Sequence, residues 1–143
     1  MKIGFTGTRE GLTNPQKRTL ASLLSYYASE NAERFVHGAC VGADGQACKI
    51  AKSHAYTTVA RPSNIPNMQT AEVSDINLHP RSPLERNRDI VLNSDMLIAC
   101  PREDKEVMRS GTWATIRFAV RKAKKHTVVI LPNGHCKDGK DLV

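Results

Sequence analysis

Small residues and hydroxyl groups follow three apolar runs of the sequence, in an arrangement that suits the binding of an anion. The three groups are Gly7-Thr8-Arg9; Gly38, Ala39, Cys40, Val41 and Gly42; and Ser110-Gly111-Thr112. Glycine lets a phosphate approach the backbone closely, and threonine and serine hydroxyls add hydrogen-bond donors. One such group is often only a tight connection, but three of them favour a phosphate site. None matches the fingerprint of a dinucleotide fold or a P-loop.

The segment Arg86-Asn87-Arg88 adds a second kind of candidate. On a helix, Asn87 shares the inward apolar stripe, where a buried amide needs partners and is expected to fix a neighbouring loop. Arg86 and Arg88 project to its two sides, and one of them can reach a bound phosphate with its guanidinium group. The alternative is a solvated helix on which Glu85 and Asp89 pair with the arginines.

Strand-like runs alternate with helical patterns along the chain. Strands are expected at 2–6, 34–37, 56–60, 95–100 and 127–131, and helices at 13–30, 43–53, 83–93 and 111–125. Thr13 is the expected N-cap of the first helix, and Pro15 lies in its first turn. The alternation predicts an α/β fold, a three-layer Rossmann-like sandwich with a mainly parallel five-stranded sheet.

This fold brings the candidate residues together. In a parallel sheet every turn from strand to helix lies at the carboxyl edge, where helix N-termini present free N–H groups and a partial positive charge. Residues 61–83 hold four of the seven prolines and no sustained period, which predicts a long irregular connection of the kind that often binds ligands. Residues 133–143 are expected to form a loose tail.

Composition indicates one domain, 1–143, and an anionic partner. No apolar run is long enough for a membrane span, and the first residues lack a secretory signal, so we expect a cytoplasmic protein without a membrane partner. The four cysteines have no metal-site spacing, and neither a metal nor a cofactor is expected. The net charge of +7 suits a nucleotide and single-stranded DNA equally well.

Three further features are expected to be structural. The basic run 121–125 ends the last helix at the edge opposite the crevice, where it complements the helix dipole. Trp113 is expected in the core, with stacking on a base as the alternative. His37 ends a strand beside the second glycine-rich group, and a structural role is expected for it.

Together these segments resemble the SLOG superfamily of nucleotide-binding Rossmann-like domains, and within it the DprA/Smf family. The family pattern G-[GS]-A-x-G-x-D-x-x-A-H is similar to residues 38–48, with Asp44 at the acidic place, and R-N-R-I-I is similar to residues 86–90. S-G-[ST]-x-x-T-x-x-x-A is similar to 110–119, with Thr115 matching the second threonine. The resemblance covers about 1–132, and it implies that Asp44 and Thr115 lie at the ligand site.

Three functions remain open. The first is binding of a nucleotide or nucleotide-derived, phosphate-bearing ligand at the carboxyl edge. The second is binding of single-stranded DNA as a minimal DprA-like recombination protein. The third is hydrolysis of the N-glycosidic bond of a nucleoside monophosphate. The related lysine-decarboxylase-like branch uses a glutamate for this hydrolysis, and Thr115 stands at the corresponding place here. Asp44 or Glu85 could take the role of that glutamate. Domains of this kind often pair, so the resemblance also suggests a homo-oligomer.

Overall fold

The apolar runs form the strands of a single sheet in the computed structural model, which describes residues 1–143. The strands are β1 (Lys2–Gly7), β2 (Arg34–His37), β3 (Thr57–Ala60), β4 (Ile76–Asn77), β5 (Met96–Cys100), β6 (His126–Ile130) and β7 (Cys136–Asp138). Their order across the sheet is β4-β3-β2-β1-β5-β6-β7, and only β7 is antiparallel to its neighbour. The predicted α/β fold with a mainly parallel sheet is confirmed.

The sheet has seven strands rather than the predicted five, and both additional strands are at its edges. β4 lies within the irregular connection and has two residues, too few to show an alternating pattern. β7 lies in the segment that we expected to be a loose tail. Gly134, with a φ of 91°, turns the chain so that Cys136–Asp138 pairs with β6. Cys136 and Lys137 are exposed, which explains why hydrophobicity did not reveal this strand.

Four helices cover the two faces of the sheet. They are α1 (Asn14–Ser29), α2 (Ala43–Ser53), α3 (Pro83–Leu92) and α4 (Gly111–Arg117). Successive residues of a strand point to opposite faces, so Phe35 packs in the core cluster of α1 and α2 while Val36 packs with α3. α4 packs on the same face as α3. None of the helices has the length and apolar character needed to cross a membrane.

The last helix differs from its predicted range of 111–125. Its α-helical part ends at Arg117, and Phe118–Lys122 continues as a π-helical turn in which the Ala123 N–H donates to the carbonyl of Phe118. Hydrophobic spacing over so few residues does not separate the two helical forms. The basic run 121–125 therefore begins within the π turn and leads into the amino end of β6.

Gln16 connects α1 to the edge of the sheet where the candidate site lies. Its side chain is 1% exposed, and its amide nitrogen donates to the carbonyls of Pro101 and Ile130, both at 2.9 Å. Its amide oxygen accepts from the N–H of Thr13, which completes the capping box at the start of α1. One buried amide thus fixes the start of α1 against the carboxyl ends of β5 and β6.

Replacing Gln16 by methionine should lower the free energy of unfolding by about 2–4 kcal/mol, because two buried carbonyls would lose their donors. Urea denaturation followed by circular dichroism measures this loss. The control is Arg18→Met on the exposed side of the same helix, which should change stability by less than about 0.5 kcal/mol. Equal losses in the two variants would contradict the role of Gln16.

Candidate functional site

A polar cleft of about 400 Å³ opens where β1, β2 and β5 end. Ten of the candidate residues line it: Gly7, Thr8, Arg9, Gly38, Asp44, Arg86, Asn87, Ser110, Gly111 and Thr112. The three groups of small residues and the start of α3 therefore meet in one place, as expected for the carboxyl edge of a parallel sheet. The volume is within the range of small-molecule sites.

Four of the candidate residues do not line the cleft: Ala39, Gly42, Arg88 and Thr115. Ala39 is buried with a φ of 55°, and its carbonyl accepts from Thr70 of the long connection. Gly42 has a φ of 88°, and a Cβ placed there would collide with the backbone carbonyl of Arg9. Gly42 thus holds the second glycine-rich turn against the first. Thr115 is buried, and its hydroxyl donates to the carbonyl of Gly111 at 2.9 Å.

Of the two candidate arginines of α3, Arg86 reaches the cleft and Arg88 points away from it. Arg88 is exposed, with its guanidinium carbon 5.2 Å from the centre of the Phe118 ring. Arg86 is 5% exposed, whereas Asn87, expected to be buried, is half-buried and accepts from Arg86 Nε at 2.7 Å. The expectation that Asn87 is buried was therefore wrong. Arg86, four residues before the buried Ile90, lies on the inward side of α3 in its place.

Protein oxygens and a sulfur surround the Arg86 guanidinium. Nη1 donates to the carbonyls of Gly38 and Arg61, and Nη2 donates to the sulfur of Cys40 at 3.3 Å. With the Nε contact, these bonds use four of the five N–H groups of an arginine. Arg86 forms no ion pair. A nearly buried cation therefore lines the cleft without a paired carboxylate.

Asp44 lies beside this arginine in the first turn of α2. Its Oδ2 accepts from the Cys40 N–H at 3.1 Å. Burial raises the pKa of Asp44 to about 6, although the Cys40 N–H and the charge of Arg86 act in the opposite direction. A Cβ on Gly38 would lie 2.5 Å from Arg86 Nη1 and 2.9 Å from Asp44 Oδ2. Only glycine fits between these two charged groups.

His37 lies outside the cleft and has the structural contacts that we expected. Its Nδ1 accepts from the Ala39 N–H at 3.0 Å, and its Nε2 is 2.7 Å from the hydroxyl of Ser74. Complete burial lowers the pKa of His37 to about 4, so the ring is neutral at neutral pH. The neutral ring links the second glycine-rich turn to the long connection.

The loop between β5 and α4 brings charged residues to the cleft that the sequence analysis missed. They are Arg102, Glu103 and Arg109, and Glu10 joins them from the first loop. Arg102 pairs with Glu10 at 2.5 Å, whereas Arg9 and Arg109 form no ion pair. The loop has no glycine until Gly111, so only its position after a buried strand could have indicated these residues.

Backbone donors complete the cleft. The N–H groups of Arg9, Gly111 and Thr112 take part in no hydrogen bond of the protein. Gly111 and Thr112 open α4, where the first N–H groups of a helix have no intrahelical acceptor. Ser110 caps this helix by accepting from the N–H of Trp113. Trp113 itself is fully buried, in agreement with the expected core position. The cleft thus offers free amide and guanidinium donors from separate elements.

Solved structures with the same fold include two groups of ligand-binding proteins. The molybdenum cofactor binding protein from Rippkaea orientalis has a TM-score of 0.69 at 25% identity, over 91% of this chain and 76% of that one. The Moco carrier protein from Chlamydomonas reinhardtii has a TM-score of 0.65 at 26% identity, over 92% and 75%. DNA processing protein A from Helicobacter pylori, which binds single-stranded DNA, has a TM-score of 0.63 at 23% identity, over 99% and 70%.

These likenesses define the class of the protein. The chain is a Rossmann-like domain with its cleft at the carboxyl edge of the sheet. The neighbours agree with the SLOG/DprA-like, Rossmann-like fold that the motifs indicated. The sequence matches no family model and no curated protein.

Asp44 and His37 should give opposite pH dependences of stability. The pKa of Asp44 rises on folding from 3.8 to about 6, so its favourable contribution is present below pH 3.8 and is lost as pH rises through 6. The pKa of His37 falls on folding from 6.5 to about 4, so its contribution is present above pH 6.5 and is lost as pH falls through 4.

Urea denaturation at several pH values between 4 and 7 tests both shifts. Compared with the wild type, Asp44→Asn should gain stability as pH rises through this window, and His37→Asn should gain stability as pH falls. Each relative change should be on the order of 2–3 kcal/mol. Curves for either variant that run parallel to the wild type would show that the residue titrates in the folded protein as it does in the unfolded chain.

Proposed function

We propose that the chain binds a phosphate-bearing small molecule, a nucleotide or a compound derived from one, in this cleft. The observation that carries the proposal is the Arg86 guanidinium, 5% exposed and without an ion pair. Burying a cation is costly unless an anion or several hydrogen bonds compensate it. The carbonyls around Arg86 and the neighbouring Asp44 carboxylate, which forms no ion pair with it, supply part of that compensation, and a phosphate in the cleft would add to it.

The surrounding donors suit the same anion. One N–H of Nη2 remains free, and the amides of Arg9, Gly111 and Thr112 are free as well. Charge-assisted hydrogen bonds to phosphate oxygens are roughly twice as strong as neutral ones. Arg9 and Arg109, which are exposed at the cleft, add attraction over a longer range. Phosphate recognition thus combines fixed backbone donors with one fixed cation.

The similar structures support a small ligand. The proteins from R. orientalis and C. reinhardtii bind or carry the molybdenum cofactor, a small molecule. The cleft of this chain has the volume of a small-molecule site and is rich in hydrogen-bond donors that suit a phosphate. The molybdenum cofactor therefore belongs beside the nucleotides among the ligands to test.

The geometry favours binding over hydrolysis of a glycosidic bond. The hydroxyl of Thr115 is engaged with the Gly111 carbonyl, and Glu85 is held outside the cleft by Arg81 and Ser82. Of the residues that the sequence analysis offered for this hydrolysis, Asp44 remains, and it is 6% exposed; Glu10 and Glu103 also line the cleft. Incubation with the common nucleoside monophosphates should therefore release no free base, as chromatography measures it. Release of a base that Asp44→Asn abolishes would establish the enzyme instead.

Replacing Arg86 by methionine should weaken the binding of ADP by about 10–100-fold, the effect of losing a charge-assisted hydrogen bond and its cation. Isothermal titration calorimetry measures the dissociation constant. Arg88→Met is the matched control on the same helix and should change it by less than about twofold. Equal losses in both variants, or none in Arg86→Met, would contradict the proposal.

Arg9→Gln provides a second variant in case Arg86→Met does not fold. Arg9 is exposed and forms no ion pair, so this change should leave the midpoint of urea denaturation unchanged. It should weaken the binding of ADP by about three- to tenfold. An unchanged dissociation constant for ADP in Arg9→Gln would contradict the proposal that ADP binds in this cleft.

A salt titration separates a small ligand from DNA. Between 50 and 200 mM salt, the affinity for ADP should fall by less than about tenfold, whereas an oligonucleotide held by many phosphate contacts loses about 10³-fold or more. The titration uses ADP, the molybdenum cofactor and a 20-nucleotide oligothymidylate. Tight, steeply salt-dependent binding of oligothymidylate alone would replace the proposal with single-stranded DNA binding.

A further inference from the structure

Glu103 is the carboxylate of the cleft that a buried group holds in place. It lies in the loop between β5 and α4 and is half-buried. Its Oε1 accepts from Trp113 Nε1 at 3.0 Å, and the Trp113 side chain is fully buried among Ala99, Ile116 and Val129. Its Oε2 accepts no hydrogen bond within the protein. The anchored oxygen fixes the carboxylate, and the other one is available to a ligand.

The Glu103 carboxylate is unfavourable for a phosphate in the same cleft unless it binds another part of the ligand. Its negative charge repels the phosphate, so the donors described above would bind an anion better without it. An ionised carboxylate is only a hydrogen-bond acceptor, and it therefore suits hydroxyl or amino groups. A ligand that satisfies Glu103 carries such donors close to its phosphate.

The apolar lining of the cleft is too small to hold a heterocycle by stacking. Among the residues that line it, only Phe5, Cys40 and Ile90 are apolar, and Phe5 and Ile90 are 0% and 2% exposed. Trp113 lies in the core and presents no exposed ring face. Sites that read bases do so by stacking on aromatic side chains and by hydrogen bonds to base edges. The lining of this cleft is polar and suits a sugar phosphate.

We propose that the cleft recognises the phosphorylated sugar of its ligand, with Glu103 accepting hydrogen bonds from the sugar hydroxyls, and that it does not read the base. This inference rests on the proposed phosphate site, with Arg86 at the phosphate end. It narrows the ligand class to ribose phosphates, whether free or joined to a base.

Calorimetry with a matched set of ligands tests the inference on the wild-type protein. The set is ribose 5-phosphate, the four common ribonucleoside monophosphates, 2′,3′-dideoxyadenosine monophosphate and inorganic pyrophosphate, all in EDTA so that no divalent cation bridges the carboxylate and the phosphate. The four ribonucleotides should agree within about threefold, and ribose 5-phosphate should bind within about fivefold of AMP. Removing both ribose hydroxyls, as in the dideoxy form, should weaken the binding of AMP by about tenfold or more.

Glu103→Gln should then separate the sugar from the phosphate. The preference for AMP over its dideoxy form should fall below about twofold, while pyrophosphate should bind equally well or better because a repelling charge is removed. Asp104→Asn is the matched control. Asp104 follows Glu103 in the same loop and is exposed, but it does not line the cleft, so this variant should keep the preference for hydroxyls. Trp113→Phe keeps the carboxylate but removes its anchor, and it should lose part of the preference.

The outcomes distinguish this inference from the proposed function. The inference is wrong if AMP binds but ribose 5-phosphate does not, if the dideoxy form binds as well as AMP, or if the preference appears only with Mg²⁺. It is also wrong if Glu103→Gln weakens AMP, its dideoxy form and pyrophosphate by the same factor, which is the result of a merely structural role. If no phosphate compound binds the wild type, the proposed function itself fails.

Discussion

The arrangement of the site depends on one buried cation, the guanidinium of Arg86. Its bonds to the carbonyls of Gly38 and Arg61 and to Cys40 join α3 to the segments that follow β2 and β3, and its bond to Asn87 lies within α3. These partners are neutral, and Arg86 forms no ion pair, although the buried Asp44 carboxylate lies beside it. The same contacts that hold the second glycine-rich turn in place therefore keep a positive charge available at the cleft.

The rest of the fold positions the loops around this cation. Gly42 allows the first two loops to touch, and a side chain there would collide with the carbonyl of Arg9. Gln16 fixes the start of α1 to the ends of β5 and β6. Both residues act at the carboxyl edge, and neither lines the cleft. Their common effect is to hold donors from separate loops around one cleft in fixed positions.

Much of the fold and part of the site could be predicted from local patterns. The five central strands and the convergence of the glycine-rich turns follow from hydrophobic runs and from the geometry of parallel sheets. β7 could not be predicted because its exposed residues show no apolar face, and the inward direction of Arg86 depends on the phase of α3. Glu103 could not be identified as a residue of the cleft because its position depends on a hydrogen bond from Trp113, and the composition of a loop does not predict such contacts.

A crystal structure of the protein with AMP tests the central claim most directly. The account predicts a phosphate oxygen within hydrogen-bond distance of Arg86 Nη2, with further phosphate oxygens on the N–H groups of Gly111 and Thr112. A phosphate bound on the basic run 121–125, or anywhere else that leaves Arg86 without an anionic partner, would contradict it.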